Sequence, residues 1–218
     1  MTFGQLVTLM AEATGQPAPS VKVAMRIQRE AGQLTSTGAR GRGAPHMTPK
    51  DAATVLIAFM AHELPGLRAA EAVESFGPLV CHEGNMKGEA ALSLEALRGL
   101  RPPFTLLTAM SELIALYAFN ADTDAFRAAE TRLRDGSTLP PECHIFLRHD
   151  TTDRGAEIWL GERHYSAAGY HFAAPLKTVA EARGEPDPRL DPMITHSAEV
   201  REGTIRRIAL AFAAEGRE

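Results

Sequence analysis

Basic side chains near the start of the chain have the types and spacing for recognisable chemistry. Lys22, Arg26 and Arg29 are four and three residues apart, so in a helix they share one side. Cations on one side of a helix can contact DNA phosphates or the acceptor atoms of a guanine edge. The spacing therefore predicts a DNA-contacting helix that begins near Ser20. A solvated amphipathic helix with an Arg26–Glu30 pair is the alternative.

A second basic stretch follows in the segment TSTGARGRGAPHMT, residues 35–48. Arg40 and Arg42 flank one glycine, and glycine lets a backbone approach the floor of a DNA minor groove closely, so that flanking arginines can enter it. Contact with phosphates, or a solvated loop, are the alternatives. Lys50 belongs to the start of the next helix, where backbone amides can also face a phosphate. We therefore add Arg40, Arg42 and Lys50 to the predicted DNA contacts.

Motifs for catalysis or metal binding are weak. Metal-capable side chains occur together only in short runs that lack the paired spacing of a zinc site: His62-Glu63, Cys81-His82-Glu83 and Cys143-His144. The glycines of residues 38–43 match neither a phosphate-binding loop nor a dinucleotide-binding motif, and there is no G-x-S-x-G. We predict that the chain is not an enzyme and needs no metal or cofactor.

The charge distribution supports a polyanionic partner. The chain of 218 residues has a net charge of −4, but residues 1–50 contain six basic and two acidic side chains and therefore carry +4. With two distant cysteines, no basic and apolar leader, and no apolar run long enough to cross a bilayer, the expected location is the cytoplasm, away from any membrane. The 44 % hydrophobic content predicts a folded core.

The elements that would position these residues are helices. The pattern predicts that the helix following Pro19 buries Val21, Val23 or Ala24, Ile27 and Ala31. The sequence is also typical of helices over residues 3–13, 20–31, 48–64, 67–76, 89–100, 104–119 and 122–134.

The pattern changes after Pro140-Pro141. Residues 143–148, 156–160, 165–172 and 193–200 are typical of strands, and residues 204–214 of a closing helix. Residues 80–88 have no regular pattern. We predict an α+β fold: a helical N-terminal half and a smaller antiparallel β-rich C-terminal part closed by a helix. The expected division is a DNA-binding domain in residues 1–77, a helical dimerisation or linker region in residues 78–139, and the β-rich domain in residues 140–218.

Two runs near the N-terminus resemble a winged helix-turn-helix domain. Leu9, Ala11, Thr14 and Gly15 match the end of its positioning helix. Five residues match its recognition helix: Val21, Arg26, Ala31, Gly32 and Leu34. More loosely, residues 1–75 are similar to uncharacterised phage- or prophage-borne bacterial proteins. The turn Gln16–Pro19 is longer than usual, and the glycine- and arginine-rich segment in the place of the wing has no strand-like sequence on either side. A plain helix-turn-helix with a basic arm is therefore an alternative.

The resemblance implies sequence-specific binding of double-stranded DNA, with transcription regulation in a bacterium or phage as the preferred function. It also implies a homodimer or higher homo-oligomer, because transcription regulators usually pair two DNA-binding domains. One alternative is the DNA-recognition subunit of a phage genome-packaging machine, similar to a small terminase. The other is a protein-interaction or inhibitor module whose basic segment binds an acidic partner.

Overall fold

The computed structural model describes residues 1–35, 46–62, 68–81, 86–87, 103–120, 143–149, 154–160, 168–173 and 196–215. Its helices are α1 (Phe3–Thr14), α2 (Ala18–Glu30), α3 (Pro49–His62), α4 (Ala69–Phe76), α5 (Leu106–Asn120) and α6 (Glu202–Glu215). Its strands are β1 (Val80–Cys81), β2 (Met86–Lys87), β3 (Phe104–Thr105), β4 (Cys143–His149), β5 (Arg154–Leu160), β6 (Ala168–Ala173) and β7 (His196–Arg201).

Helix α1 begins and ends at residues suited to those positions. The Thr2 side chain accepts a hydrogen bond from the Gln5 amide, and the Gln5 side chain accepts one from the Thr2 amide at 2.6 Å. Gly15 ends the helix with φ +72°, a left-handed conformation that a residue without Cβ adopts readily. Both ends of α1 are therefore specified by local sequence.

Helix α3 occupies the centre of the molecule. Every residue from Asp51 to Ala61 is buried except Phe59, which is half-buried. The helix contacts α1, α2, α4, α5, α6 and β7. The run AATVLIAFMA contains no charged side chain, and a helix that is apolar on all sides is stable only when it is enclosed.

The strands form one antiparallel sheet in the order β3-β1-β6-β5-β4-β7, and β2 also pairs with β6. The face of this sheet that lies in the hydrophobic core carries the buried side chains of Cys81, Phe104, Ile145, Leu147, Ala156, Ile158, Tyr170, Phe172 and Ala198. Register then places His144, Phe146 and Glu157 on the opposite face, because neighbouring strand residues point to opposite sides.

These elements confirm a mixed α and β fold with a helical N-terminal half and an antiparallel sheet. Helix α6 follows β7 directly, as the predicted closing helix requires. The middle of the chain differs from expectation, because residues 80–81, 86–87 and 104–105 are strands. Each of these strands has only two residues and is defined by its pairing with a distant segment. Hydrophobic periodicity within such a short stretch cannot predict that pairing. The predicted helices at 89–100 and 122–134 lie outside the described residues.

The hydrophobic core runs across both predicted domain boundaries. Helix α5 packs against α3 and α6, and α6 also packs against α1. Ala109, Met110, Leu113 and Ile114 place one side of α5 in this core. The division into three domains stays a prediction, but the described parts of all three share one core. None of the described helices is long and apolar enough to cross a membrane.

Candidate nucleic-acid interface

The connection between α1 and α2 is shorter than the sequence predicts. It consists of Gly15, Gln16 and Pro17, since α2 begins at Ala18 and not at Ser20. Pro17 precedes the helix and Pro19 lies within its first turn, where a missing N–H removes no intrahelical hydrogen bond. The predicted turn over Gln16–Pro19 is therefore corrected to a turn of three residues.

Helix α2 is anchored by a different set of residues from the one predicted. Val21, Met25 and Gln28 are buried, whereas Val23 and Ile27 are 59 % and 45 % exposed. Both sets have helical spacing, so the sequence offers two apolar stripes. Packing against α1, α3 and α4 selects the stripe that contains Gln28. The expected burial of Val23 and Ile27 is wrong, as is that of Ala31, which lies just after the helix and is exposed.

The predicted contact residues of α2 lie in solvent. Ser20, Lys22, Arg26 and Arg29 are all exposed. Because Val21, Met25 and Gln28 take the opposite side, the structure presents Lys22 and Arg26 away from the core. These exposed cations leave α2 able to meet an anionic surface without rearrangement of the fold.

Two of these cations have partners within the chain. The Arg26 Nε donates to Glu30 Oε1 at 2.8 Å, and the two side chains are 71 % and 60 % exposed. This hydrogen bond, followed by the charge of Glu30, raises the pKa of Arg26 above its usual value. The Arg29 guanidinium lies over the Phe3 ring of α1, 5.1 Å from its centroid. An ion pair this exposed is screened by salt and contributes little to stability, so a phosphate can replace Glu30.

The basic segment after α2 is held at its two ends by one carboxylate. The Asp51 side chain is buried and accepts hydrogen bonds from the Thr35 amide at 2.6 Å and the Thr48 amide at 2.7 Å. Arg40 and Arg42 belong to residues 36–45, which lie outside the described residues. Lys50, in the first turn of α3, is exposed. Asp51 thus brings both ends of the arginine-bearing segment to the start of α3.

Helix α6 contributes contacts that the sequence did not reveal. The Arg207 Nη1 donates to the Glu12 carbonyl at 2.6 Å, and the Thr204 Oγ1 donates to the Ala13 carbonyl at 3.4 Å. A cation and a hydroxyl therefore reach the last turn of α1, where carbonyls are unpaired and the helix dipole is negative. No local pattern could identify these contacts, because they join residues nearly two hundred positions apart.

The described part of the chain also contains metal-capable side chains and a thiol. Among them, no group of three metal-capable side chains comes together. Cys81 is buried, and this burial raises the pKa of its thiol to about 11, which disfavours the reactive thiolate. A polar cluster does occur on the outer face of the sheet: His144 Nδ1 is 2.8 Å from Glu199 Oε1, and Glu157 contacts both Arg148 and His171.

A scan of protein-family models and searches of curated proteins and of solved structures found no match to this chain.

Proposed function

We propose that this chain is a sequence-specific bacterial or phage transcription regulator that binds double-stranded DNA through the exposed side of α2. One observation carries the proposal. Ser20, Lys22 and Arg26 are exposed on a helix that is anchored from its other side and that follows a turn closed by Gly15. The resemblance to a winged helix-turn-helix domain predicts this arrangement.

The dimensions of α2 suit a major groove. Its 13 residues span about 20 Å at about 1.5 Å per residue. Its first turns, with Ser20, Lys22 and Val23 exposed, would reach base edges, and Arg26 would meet a guanine or a phosphate. The exposed methyl groups of Val23 and Ile27 are suited to thymine methyls.

The arginine-bearing segment would supply a second contact as a wing or a basic arm. Asp51 brings its ends, Thr35 and Thr48, to the start of α3. Arg40 and Arg42 would then contact the minor groove or the backbone, with Lys50 near a phosphate. The proposal therefore requires two separate salt-dependent contributions, one from α2 and one from this segment.

Fluorescence anisotropy with a labelled random-sequence duplex, measured across a salt series, tests DNA binding. The double variant Lys22→Gln/Arg26→Gln should weaken binding and reduce the salt slope by about one for each lost phosphate contact. Arg40→Ala/Arg42→Ala should do the same. Arg68→Gln removes an exposed cation at the start of α4 and is the matched control, with unchanged affinity expected. No binding at low salt, or an equal loss in the control, contradicts the proposal.

Sequence specificity and assembly need a second experiment. Selection of bound fragments from sheared genomic DNA should recover a palindrome, and native mass spectrometry should show a dimer. Arg26→Gln should then broaden the recovered sequence if Arg26 reads a base. A large ring with no preferred site would instead support the genome-packaging alternative.

A protein-interaction or inhibitor module is the second candidate, and the exposure of Val23 and Ile27 favours it. An apolar pair flanked by Lys22 and Arg26 also suits a partner with an apolar groove and an acidic rim. The salt series separates the two candidates, because this module would leave the duplex unbound even at low salt.

A further inference from the structure

The side of α2 that points most directly away from the core carries methyl groups. At about 100° per residue, Val23 lies almost opposite the three buried residues of the helix, and it is 59 % exposed. Ile27 follows one turn later and is 45 % exposed. Of the three large apolar side chains that are exposed in the described part of the chain, two therefore lie here, and the third is Leu210 of α6. Helix α2 presents a short apolar row to any surface that it contacts.

Cations border this apolar row. Lys22 directly precedes Val23 and is exposed, and the Arg26 side chain is 71 % exposed. Such a row suits a surface with anions at its edges and methyl groups on its floor. The major groove of duplex DNA has this arrangement, because phosphates follow both edges and the C5 methyl of thymine projects from its floor.

The spacing of the helix relates the methyl contact to a guanine. Val23 and Arg26 are three residues apart, so their Cβ atoms are about 5–6 Å from each other. Successive base pairs are about 3.4 Å apart, so this distance corresponds to one or two base steps. An arginine bound to guanine O6 and N7 would therefore place Val23 over a base one or two pairs away. Valine has no polar side-chain atom, and the C5 methyl is the apolar group that a base offers there.

We propose that Val23 and Ile27 recognise a pyrimidine C5 methyl group one or two base pairs from a guanine that Arg26 binds, an inference that rests on the DNA binding proposed above. Thymine carries this methyl group, and so does 5-methylcytosine. The contact involves no charge and neutralises no phosphate, so its contribution to affinity should be the same at low and high salt. Val23 and Ile27 thus determine specificity, whereas Lys22 supplies salt-dependent affinity.

The test uses the full chain and a pool of random-sequence duplexes, made once with thymine and once with uracil. Uracil pairs as thymine does but lacks the C5 methyl. Sequencing of the bound duplexes should show thymine enriched within two base pairs of a guanine, whereas uracil should not be enriched there. In the most enriched duplex, uracil in place of this thymine should weaken binding about fourfold, as expected for the loss of one buried methyl group, with the salt slope unchanged.

A third pool, made with uracil and 5-methylcytosine, distinguishes the two carriers of the methyl group. Enrichment of 5-methylcytosine near guanine would extend the recognition to methylated DNA, and its absence would restrict the recognition to thymine.

Val23→Ala/Ile27→Ala removes most of the apolar row with a strong helix former and should remove most of the preference for thymine over uracil. Leu210→Ala is the matched control, since Leu210 is 47 % exposed on another helix, and it should keep the full preference. Circular dichroism checks that both variants fold. If the double variant does not fold, the comparison of thymine and uracil on the unsubstituted chain decides the question.

Two outcomes would overturn the inference and leave the proposed DNA binding intact. One is equal binding of the thymine and uracil duplexes by the unsubstituted chain, and the other is a full thymine preference in Val23→Ala/Ile27→Ala. Failure to bind any of the pools at low salt would instead contradict DNA binding itself, and the methyl recognition with it.

Discussion

Helices α2 and α3 are neighbours in the chain and have almost the same length, but they meet opposite environments. Helix α2 buries Val21, Met25 and Gln28 and leaves most of its surface in water. Helix α3 is enclosed on nearly every side from Asp51 to Ala61. The two helices therefore have different roles. Helix α3 packs in the core and stabilises the fold, whereas the exposed side of α2 is available to a partner.

Substitution of one isoleucine in each helix should give the largest difference. Ile57→Ala in α3 removes a fully buried side chain and should lower the free energy of unfolding by about 2–5 kcal/mol. Ile27→Ala in α2 should change it by no more than about 0.5 kcal/mol, because that side chain is 45 % exposed. Urea unfolding followed by circular dichroism measures both. Equal losses would mean that α2 is packed as α3 is.

Removal of the Asp51 carboxylate at the start of α3 should give the next largest loss of stability. Asp51→Ala leaves the Thr35 and Thr48 amides without their buried acceptor, and it should lower the free energy of unfolding by about 2–3 kcal/mol. Glu30→Ala is the control in α2, where an exposed ion pair is lost and the urea midpoint should stay nearly constant. A stable Asp51→Ala variant would show that other contacts hold the ends of the arginine-bearing segment.

A stabilising substitution is expected on the buried side of α2. The Gln28 side chain is fully buried, and neither its Nε2 nor its Oε1 has a hydrogen-bond partner within the described part of the chain. Gln28→Met has a similar shape without the amide and should raise the free energy of unfolding by about 1–2 kcal/mol. Gln33→Met should have the opposite effect, because Gln33 Nε2 donates to the Ala70 carbonyl at 3.0 Å. The urea midpoints of the two variants measure these changes. Destabilisation by Gln28→Met would contradict the conclusion that the Gln28 amide is buried without a hydrogen-bond partner.

The smallest effect on stability is expected on the exposed side of α2. Glu30→Gln removes the partner of Arg26 and one negative charge from the proposed DNA-contacting side. Unfolding should be almost unchanged, whereas duplex affinity should rise because repulsion of phosphates decreases. Anisotropy at low and high salt measures this change, with the gain confined to low salt. Weaker duplex binding would show that the Arg26–Glu30 pair itself orients the contact.

The contrast between α2 and α3 was only partly predictable. The run AATVLIAFMA has no polar side, so burial of α3 could be expected from its residues alone. Helix α2 has two apolar stripes of similar strength, one with Val23 and Ile27 and one with Val21 and Met25. The chosen stripe depends on where α1, α3 and α4 lie, and this information is not local.

The candidate contact residues were predictable as cations with helical spacing, and the structure leaves Lys22, Arg26 and Arg29 exposed. The position of Arg29 over Phe3 was not predictable, since it depends on the angle between α1 and α2. A cavity where α1, α3, β7 and α6 meet was also beyond sequence reasoning, because its lining residues come from elements that only the tertiary structure brings together.

The amino-acid sequence by itself determined the ends of α1, the enclosed character of α3, the strands of the β-rich part and the concentration of positive charge in residues 1–50. Each of these follows from local properties: capping, glycine conformation, side-chain period and charge. The tertiary structure alone decided which side of α2 faces water, that two-residue strands from the middle of the chain join the sheet, and that α6 reaches the last turn of α1. These features depend on contacts between residues that are distant in the sequence. Such contacts form only when folding brings the distant segments together, so local sequence patterns do not reveal them.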